Sequence, residues 1–179
     1  MHPGGRRPAD PRRAGRRPVT GELRLVGFEE LSAGALLGRL LDRRAEFWSG
    51  SVLDDDAVRA LHDPVFFHQL GGFGAVALTP SDDDAGYLLG VVSADRLAVV
   101  HAVAVHPDWR GRGVASRLLT RFADLAAGVG ARAVQAVALP GDPAALALAA
   151  CLGASPAPSP GHAGPGADRV VLTGRLPLG

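Results

Sequence analysis

Apolar positions along the chain recur with two different periods, and the period switches from segment to segment. Leu23, Leu25 and Phe28 have the spacing of a strand. Ser32 stands where a helix cap belongs, ahead of Leu36, Leu37, Leu40 and Leu41 at helical spacing. A second helix is predicted over Ala57–Leu70, opened by Asp54–Asp56, because carboxylates suit the positive end of a helix dipole. Three strand-like runs follow, Gly74–Leu78, Gly86–Val92 and Leu97–Val105, separated by the turn-rich Thr79–Ala85 and Ser93–Arg96. Beyond a loop at His106–Arg110, Val114–Ala127 has a clear amphipathic pattern. Ala115, Leu118, Leu119, Phe122, Leu125 and Ala126 share one face, and Arg117, Arg121 and Asp124 take the other. Arg132–Leu139 reads as a strand, Pro143–Leu152 as an Ala/Leu helix, Ser155–Ala167 as a Pro/Gly-rich loop and Arg169–Leu176 as a last strand. Strands with interposed helices predict an α/β domain built on a mixed sheet.

Composition narrows this picture. With 179 residues, 47% of them hydrophobic, one domain with a full core is the natural division. Residues 1–20 stand apart: six arginines face a single acid, Asp10, among four prolines, a net +5 that leaves −4 on the remainder. We read 1–20 as a flexible Arg/Pro-rich tail and 21–179 as the domain. Such a tail is a solvated extension, or the one segment expected to touch nucleic acid. All 19 basic residues are arginine. The absence of lysine excludes a Walker-type phosphate loop and any Schiff-base or pyridoxal-phosphate lysine, since each needs the amine itself. Asparagine and isoleucine are also missing, a usage that points to a GC-rich bacterial genome. The single cysteine, Cys151, excludes an internal disulfide or a Cys-rich zinc site, and no His/Asp/Glu spacing resembles a metal site. No apolar run is long enough to span a membrane, and none follows the N-terminal arginines as in a secretory signal, so a cytoplasmic location is expected.

The informative stretch runs from Val103 to Ser116. A strand ends in Val103-Ala104-Val105-His106-Pro107, and Arg110-Gly111-Arg112-Gly113-Val114-Ala115 opens the amphipathic helix. The first turn of a helix offers unpaired N–H groups and a positive dipole end, and glycines let an anion approach the backbone. Arg110 and Arg112 add positive charge. A dinucleotide-binding turn would run the strand straight into its first glycine, whereas His106–Arg110 intervene here. An RNA-binding Arg-Gly segment would be repeated, and this one occurs once.

At these residues the chain resembles the GNAT superfamily of acyl-CoA-dependent N-acyltransferases. That family's signature, Arg/Gln-x-x-Gly-x-Gly/Ala after an apolar-x-Val-x-Pro strand end, is matched in full, and the order of elements agrees over about 21–176. Gly164-Pro165-Gly166-Ala167-Asp168-Arg169-Val170 looks like an ending common in actinobacterial members. The resemblance implies a mostly antiparallel mixed sheet flanked by helices, with a cleft for acetyl-CoA between splayed central strands. Val103, Ala104 and Val105 would bond the pantetheine arm as an added strand, and Arg110, Gly111, Arg112, Gly113, Val114, Ala115 and Ser116 would hold the pyrophosphate. It implies acetyl transfer to a primary amine of a small molecule or peptide by direct attack, no membrane partner, and a homodimer as a candidate assembly.

Two family positions are changed. Aligned with the family's C-terminal helix, Asp142, Ala145 and Leu148 take motif positions, and Ala149 stands where a tyrosine usually protonates the leaving thiolate. Cys151 lies about 200° around that helix from Ala149 and reads as a packed small hydrophobe. Val99 stands where many members carry a glutamate base. His101 shares the face of Val99 and titrates in the right range, so it is the candidate base, the alternative being a cleft-wall histidine. His106 reads as a loop entry, and His62 and His68 as packing or surface residues on the acceptor side. Asp54–Asp56 and Asp82–Asp84 attract a cationic acceptor or are solvated loops and helix starts. Trp48, Trp109, Phe66 and Phe67 read as packing residues. With both customary positions apolar, a non-catalytic acyl-CoA-binding or partner-binding protein is the alternative function.

Overall fold

The computed structural model describes residues 22–31, 33–51, 53–63 and 72–178. A seven-stranded sheet forms the frame: β1 (Arg24–Gly27), β2 (Phe73–Leu78), β3 (Asp84–Val92), β4 (Leu97–Val105), β5 (Ala133–Ala138), β6 (Ser155–Ser159) and β7 (Arg169–Arg175). Their order is β1-β2-β3-β4-β5-β7-β6. Every neighbouring pair is antiparallel except β4 with β5, which are parallel and joined by a helical crossover. The helices are α1 (Ala33–Asp42), α2 (Arg44–Phe47), α3 (Asp55–Ala60), α4 (Val114–Gly128) and α5 (Pro143–Cys151).

The helices cover the two faces unequally. α4 lies on one face of β1–β4 and buries Val114, Leu118, Leu119, Phe122 and Ala126 against Ala75, Ala77, Leu88 and Ala98. Its approach is close because Gly90 has no side chain: a Cβ there would stand 2.5 Å from the Phe122 ring. The opposite face of β1–β4 carries Val26, Val76, Tyr87, Leu89, Ala102 and Ala104, packed with Leu40 of α1 and Phe47 of α2. α5 sits beside α4 and closes a small cluster of Ala136, Ala145, Ala149 and Leu172.

Most predicted elements are present, with three differences. The helix predicted over Ala57–Leu70 starts at Asp55, capped by Asp54, whose carboxylate accepts from the Ala57 N–H at 2.8 Å, and this helix ends at Ala60, while residues 64–70 of the predicted span lie outside the described residues. Asp63 precedes Pro64, and a residue before proline disfavours the helical region. Ser155–Ser159, taken as loop, is strand β6. It holds Pro156 and Pro158 but pairs only with β7 at the sheet edge, where proline's missing N–H costs no ladder bond. β3 also begins earlier, at Asp84, inside the predicted turn. The predicted tail over 1–20, the Ser32 cap, and His68, Phe66 and Phe67 lie outside the described residues. Among the described residues no helix is long and apolar enough to cross a membrane, and no group of His, Cys, Asp or Glu could hold a metal.

Candidate active site

The centre of the sheet opens between β4 and β5. Their ladder runs from Leu97–Ala133 to Val100–Ala136 and stops, while β4 continues to Val105 and β5 to Ala138. From His101 onward β4 therefore presents an edge on this side. A bulge coincides with the opening. Leu89 pairs with Ala102 and Gly90 with Val100, so His101 is an extra residue with no opposite number. The bulge also switches the strand's faces. Before it Ala98 and Val100 face α4; after it Val103 and Val105 do, and Ala102 and Ala104 turn to the α1–α2 core.

Below the open end, β4 runs through a short 3-10 turn, Pro107–Trp109, into α4. Gly111 and Gly113 both have φ of +72°, a left-handed conformation that favours glycine, and a Cβ on either would meet only open space. The first intrahelical bond of α4 runs from the Arg117 N–H to the Gly113 carbonyl at 3.1 Å. The N–H groups of Val114, Ala115 and Ser116 are thus the donors a helix leaves over at its start. Arg110 is used differently from the sequence expectation. Its guanidinium donates to the carbonyls of Val105 (3.0 Å), Ser49 (3.1 Å) and Phe47 (2.8 Å), tying the end of α2 to the end of β4. Arg112 carries the exposed charge of the loop and stacks over the Trp109 ring at 5.0 Å. Cys151, expected to be packed, is exposed at the end of α5 and donates from Sγ to Ser116 Oγ at 3.1 Å.

Three histidines lie on the α1–α3 side. His62 is fully buried. Its Nδ1 lies 2.7 Å from the Val58 carbonyl and must carry the proton, which leaves Nε2 to accept from the Tyr87 hydroxyl at 2.8 Å. Tyr87 in turn accepts from Trp48 Nε1 at 2.8 Å. Every side-chain polar atom of His62, Tyr87 and Trp48 is thereby satisfied. Burial holds His62 below its ordinary pKa and pushes the Tyr87 phenol up. His101 lies next to this group: the Leu61 carbonyl hydrogen-bonds its ring, and its Nε2 is sealed from solvent. Burial, and secondly the field of His62, lower its pKa, so His101 is neutral near pH 7. His106, read as a loop entry, is buried. Its Nδ1 accepts from the Asp108 N–H at 3.2 Å, so Nε2 donates to the Glu46 carboxylate. That bond, assisted by Arg43, lowers the Glu46 pKa.

The acidic runs have structural partners. Asp55 pairs with Arg44 and Arg59, Asp82 with Arg24, and the buried Asp84 with Arg39 at 2.8 Å and Arg43 at 3.5 Å. The sequence offered no sign that Asp84 differed from its neighbours. Trp48 packs as expected, edge-on to His62. Ala149 is 3% exposed, against Ala136, Ala145 and Leu172, and offers no proton to any site.

Residues 39–154 match the family model of the Acetyltransferase (GNAT) family. Among solved structures the chain is similar to a Desulfovibrio desulfuricans protein that carries a GNAT-family name, with a TM-score of 0.67 at 18% identity over 86% of this chain and 99% of that one. The phosphinothricin acetyltransferase of Sinorhizobium meliloti, in complex with AcCoA, gives 0.63 at 18% identity over 86% and 88%. The Bacillus subtilis acetyltransferase in complex with CoA gives 0.61 at 15% identity over 87% and 99%. At these identities the structures speak for the fold. No curated protein matches by sequence.

Proposed function

Since this chain belongs to the GNAT acetyltransferase family, whose model spans more than half of it, we propose that it moves an acetyl group from acetyl-CoA to a primary amine of a small molecule or peptide. The observation that carries the reading is the strand opening beside a glycine-bent helix start. The free edge of β4 suits an extended pantetheine arm, which would bond the backbone of Val103, Ala104 and Val105 like an added strand. The leftover N–H groups of Val114, Ala115 and Ser116 suit a pyrophosphate, with Arg112 adding charge and Gly111 and Gly113 leaving room. Arg110 acts on the loop's shape, since its guanidinium is spent on three carbonyls.

In the reaction, the acceptor ammonium gives up a proton to His101 where binding of the acceptor uncovers the ring nitrogen that is sealed here. The free amine attacks the thioester carbonyl, the amide bond forms, and the C–S bond breaks. The thiolate takes its proton from water or from the amine, because Ala149 has none to give. Positioning and a backbone donor to the developing oxyanion supply the rest. The buried, apolar Ala149 also favours a second reading, an acyl-CoA-binding protein without turnover.

Calorimetric titration with acetyl-CoA tests the cofactor site. Gly113→Asp puts a side chain at positive φ and a carboxylate at the helix start, and should weaken binding by about tenfold or more. No binding at millimolar acetyl-CoA, or binding indifferent to that change, sinks the proposal. Thiol release across a panel of amines tests turnover, and His101→Ala should lower kcat/KM by about 10²–10⁴. The acid limb of the wild-type profile should fall below the ordinary histidine value of 6.5, because burial lowers the His101 pKa. Binding without release on any amine selects the second reading.

A further inference from the structure

Among the described residues, the far half of the sheet has one bare face. α5 covers β5, β7 and β6 on the α4 side. On the other side no described helix packs. The strand register says which residues line it. Val99, Gln135, Thr173 and Ser155 form one row; Val137, Val171 and Ala157 form the next; Arg169 and Ser159 form a third. Alternate residues of a strand share a face, and the bond from Gln135 Nε2 to Thr173 Oγ1 at 3.1 Å agrees with this. Val137 is 41% exposed. The row of Val137 and Val171 is the first beyond the last β4–β5 pair, level with the opening. His101 stands at the border between the helix-covered half and this face.

The charge on this face is one-sided. Arg169 is half-buried, and Nη1 donates to the Asp168 carbonyl at 2.8 Å. The Asp168 carboxylate accepts from the Gly161 N–H at 2.8 Å, and Arg169 spends only Nη1 on the Asp168 carbonyl. Ser159, opposite Arg169 in the register, has its Oγ 3.1 Å from His162 Nδ1. Strands β5, β6 and β7 contain no acid, and the segment 160–168 that leads into β7 contains only Asp168. A polyamine needs carboxylates along its length, and the described strands β5, β6 and β7 supply none. From these rows we infer that the bare face is the acceptor bed, and that the acceptor is an amine that also carries a carboxylate.

Arg169 takes the carboxylate, with Ser159 and His162 beside it, and the amine reaches the opening beside His101. β4 and β7 are two strand spacings apart, about 10 Å. The acceptor's two ends are therefore separated by several bonds, and an apolar stretch between them lies on Val137 and Val171. A planar guanidinium recognises a carboxylate with two parallel bonds, which lysine cannot reproduce.

This inference rests on the acetyltransferase reading, and two readouts separate them. The first is thiol release from acetyl-CoA with ω-aminocarboxylates of increasing chain length, their methyl esters, and spermidine. The carboxylates should exceed their esters by about tenfold or more in kcat/KM, the scale of one charge-assisted bidentate pair. Arg169→Gln should raise KM for the carboxylate to that of its ester, and Arg169→Lys should restore part of the preference. Arg175→Gln, at the far end of the same strand, should leave the preference in place. The second readout is calorimetric binding of the same compounds to the protein–CoA complex, which needs no turnover. Turnover that ignores the carboxylate overturns the acceptor class and leaves the acetyltransferase standing. Carboxylate-dependent binding lost in Arg169→Gln, without turnover, supports the site and overturns the acetyltransferase. Neither binding nor turnover overturns both.

Discussion

The Tyr87 hydroxyl, on the chain's one tyrosine, joins three elements. It donates to His62 at the end of α3 and accepts from Trp48 after α2, all from the middle of β3. Tyr87→Phe would leave the His62 Nε2 and the Trp48 N–H without a partner in a dry site. Leaving buried polar groups unmet costs about 1–3 kcal/mol, so urea denaturation should show a loss of that size. A loss under half a kcal/mol, about the scatter of surface changes, would mean that water replaces the hydroxyl. Ala149 is the opposite case. Sequence alone allows Ala149→Tyr to restore the customary acid and raise the rate. The structure argues against it, because the methyl is packed against Ala136, Ala145 and Leu172. A phenol there overpacks the cluster at a cost of about 1–3 kcal/mol or more. The thermal midpoint should drop, with no gain in acetylation rate; a tenfold gain would show that α5 swings the new side chain out. Neither the Tyr87 chain nor the Asp84 ion pairs are legible in the sequence, since their partners lie 25 to 45 positions away.

At the scale of elements, α4 shows why its amphipathic pattern was easy to read and its seat was not. The apolar stripe is local, whereas the hollow receiving it is made by small residues on other strands. Gly90 is the critical one: an added Cβ would lie 2.5 Å from the Phe122 ring and 2.5 Å from the Val99 carbonyl. Gly90→Ala should therefore destabilise the fold by about 1–3 kcal/mol, against the usual gain in strand preference on replacing glycine. Combining it with Phe122→Leu should recover part of the loss in the same denaturation assay. Additive losses would place the strain at the Val99 carbonyl alone. The bulge at His101 and edge strand β6 share a cause of illegibility. Both depend on what a strand pairs with, and Ser-Pro-Ala-Pro-Ser has the composition of a loop until an edge is found for it.

For the whole molecule, buried histidines set a pH limit. His62 and His101 have folded pKa values below the ordinary 6.5, chiefly through desolvation. The unfolded chain thus binds more protons than the folded one between those values and about 6.5, and stability rises with pH through that window. Their contribution is complete above about pH 6.5 and is lost as pH falls through the folded values. Glu46, held below its ordinary 4.5 chiefly by His106, adds a second loss at lower pH. Urea midpoints should fall between about pH 7.5 and about pH 5.5. His62→Gln should flatten that slope, whatever it does to stability itself; an unchanged slope would mean that His62 does not titrate with unfolding. The sequence by itself determined the order of most strands and helices, though not edge strand β6, together with the glycine-bent entry to α4 and the family, because hydrophobic period, turn residues and the Arg110–Ala115 motif are all local signals. Only the tertiary structure decided that Arg110 clamps α2 to β4, that His106 meets Glu46, that Cys151 reaches Ser116, and that no described helix packs on one face of β5–β7–β6. Those facts depend on which distant segments meet, and the strand register that brings them together is set by packing across the whole sheet.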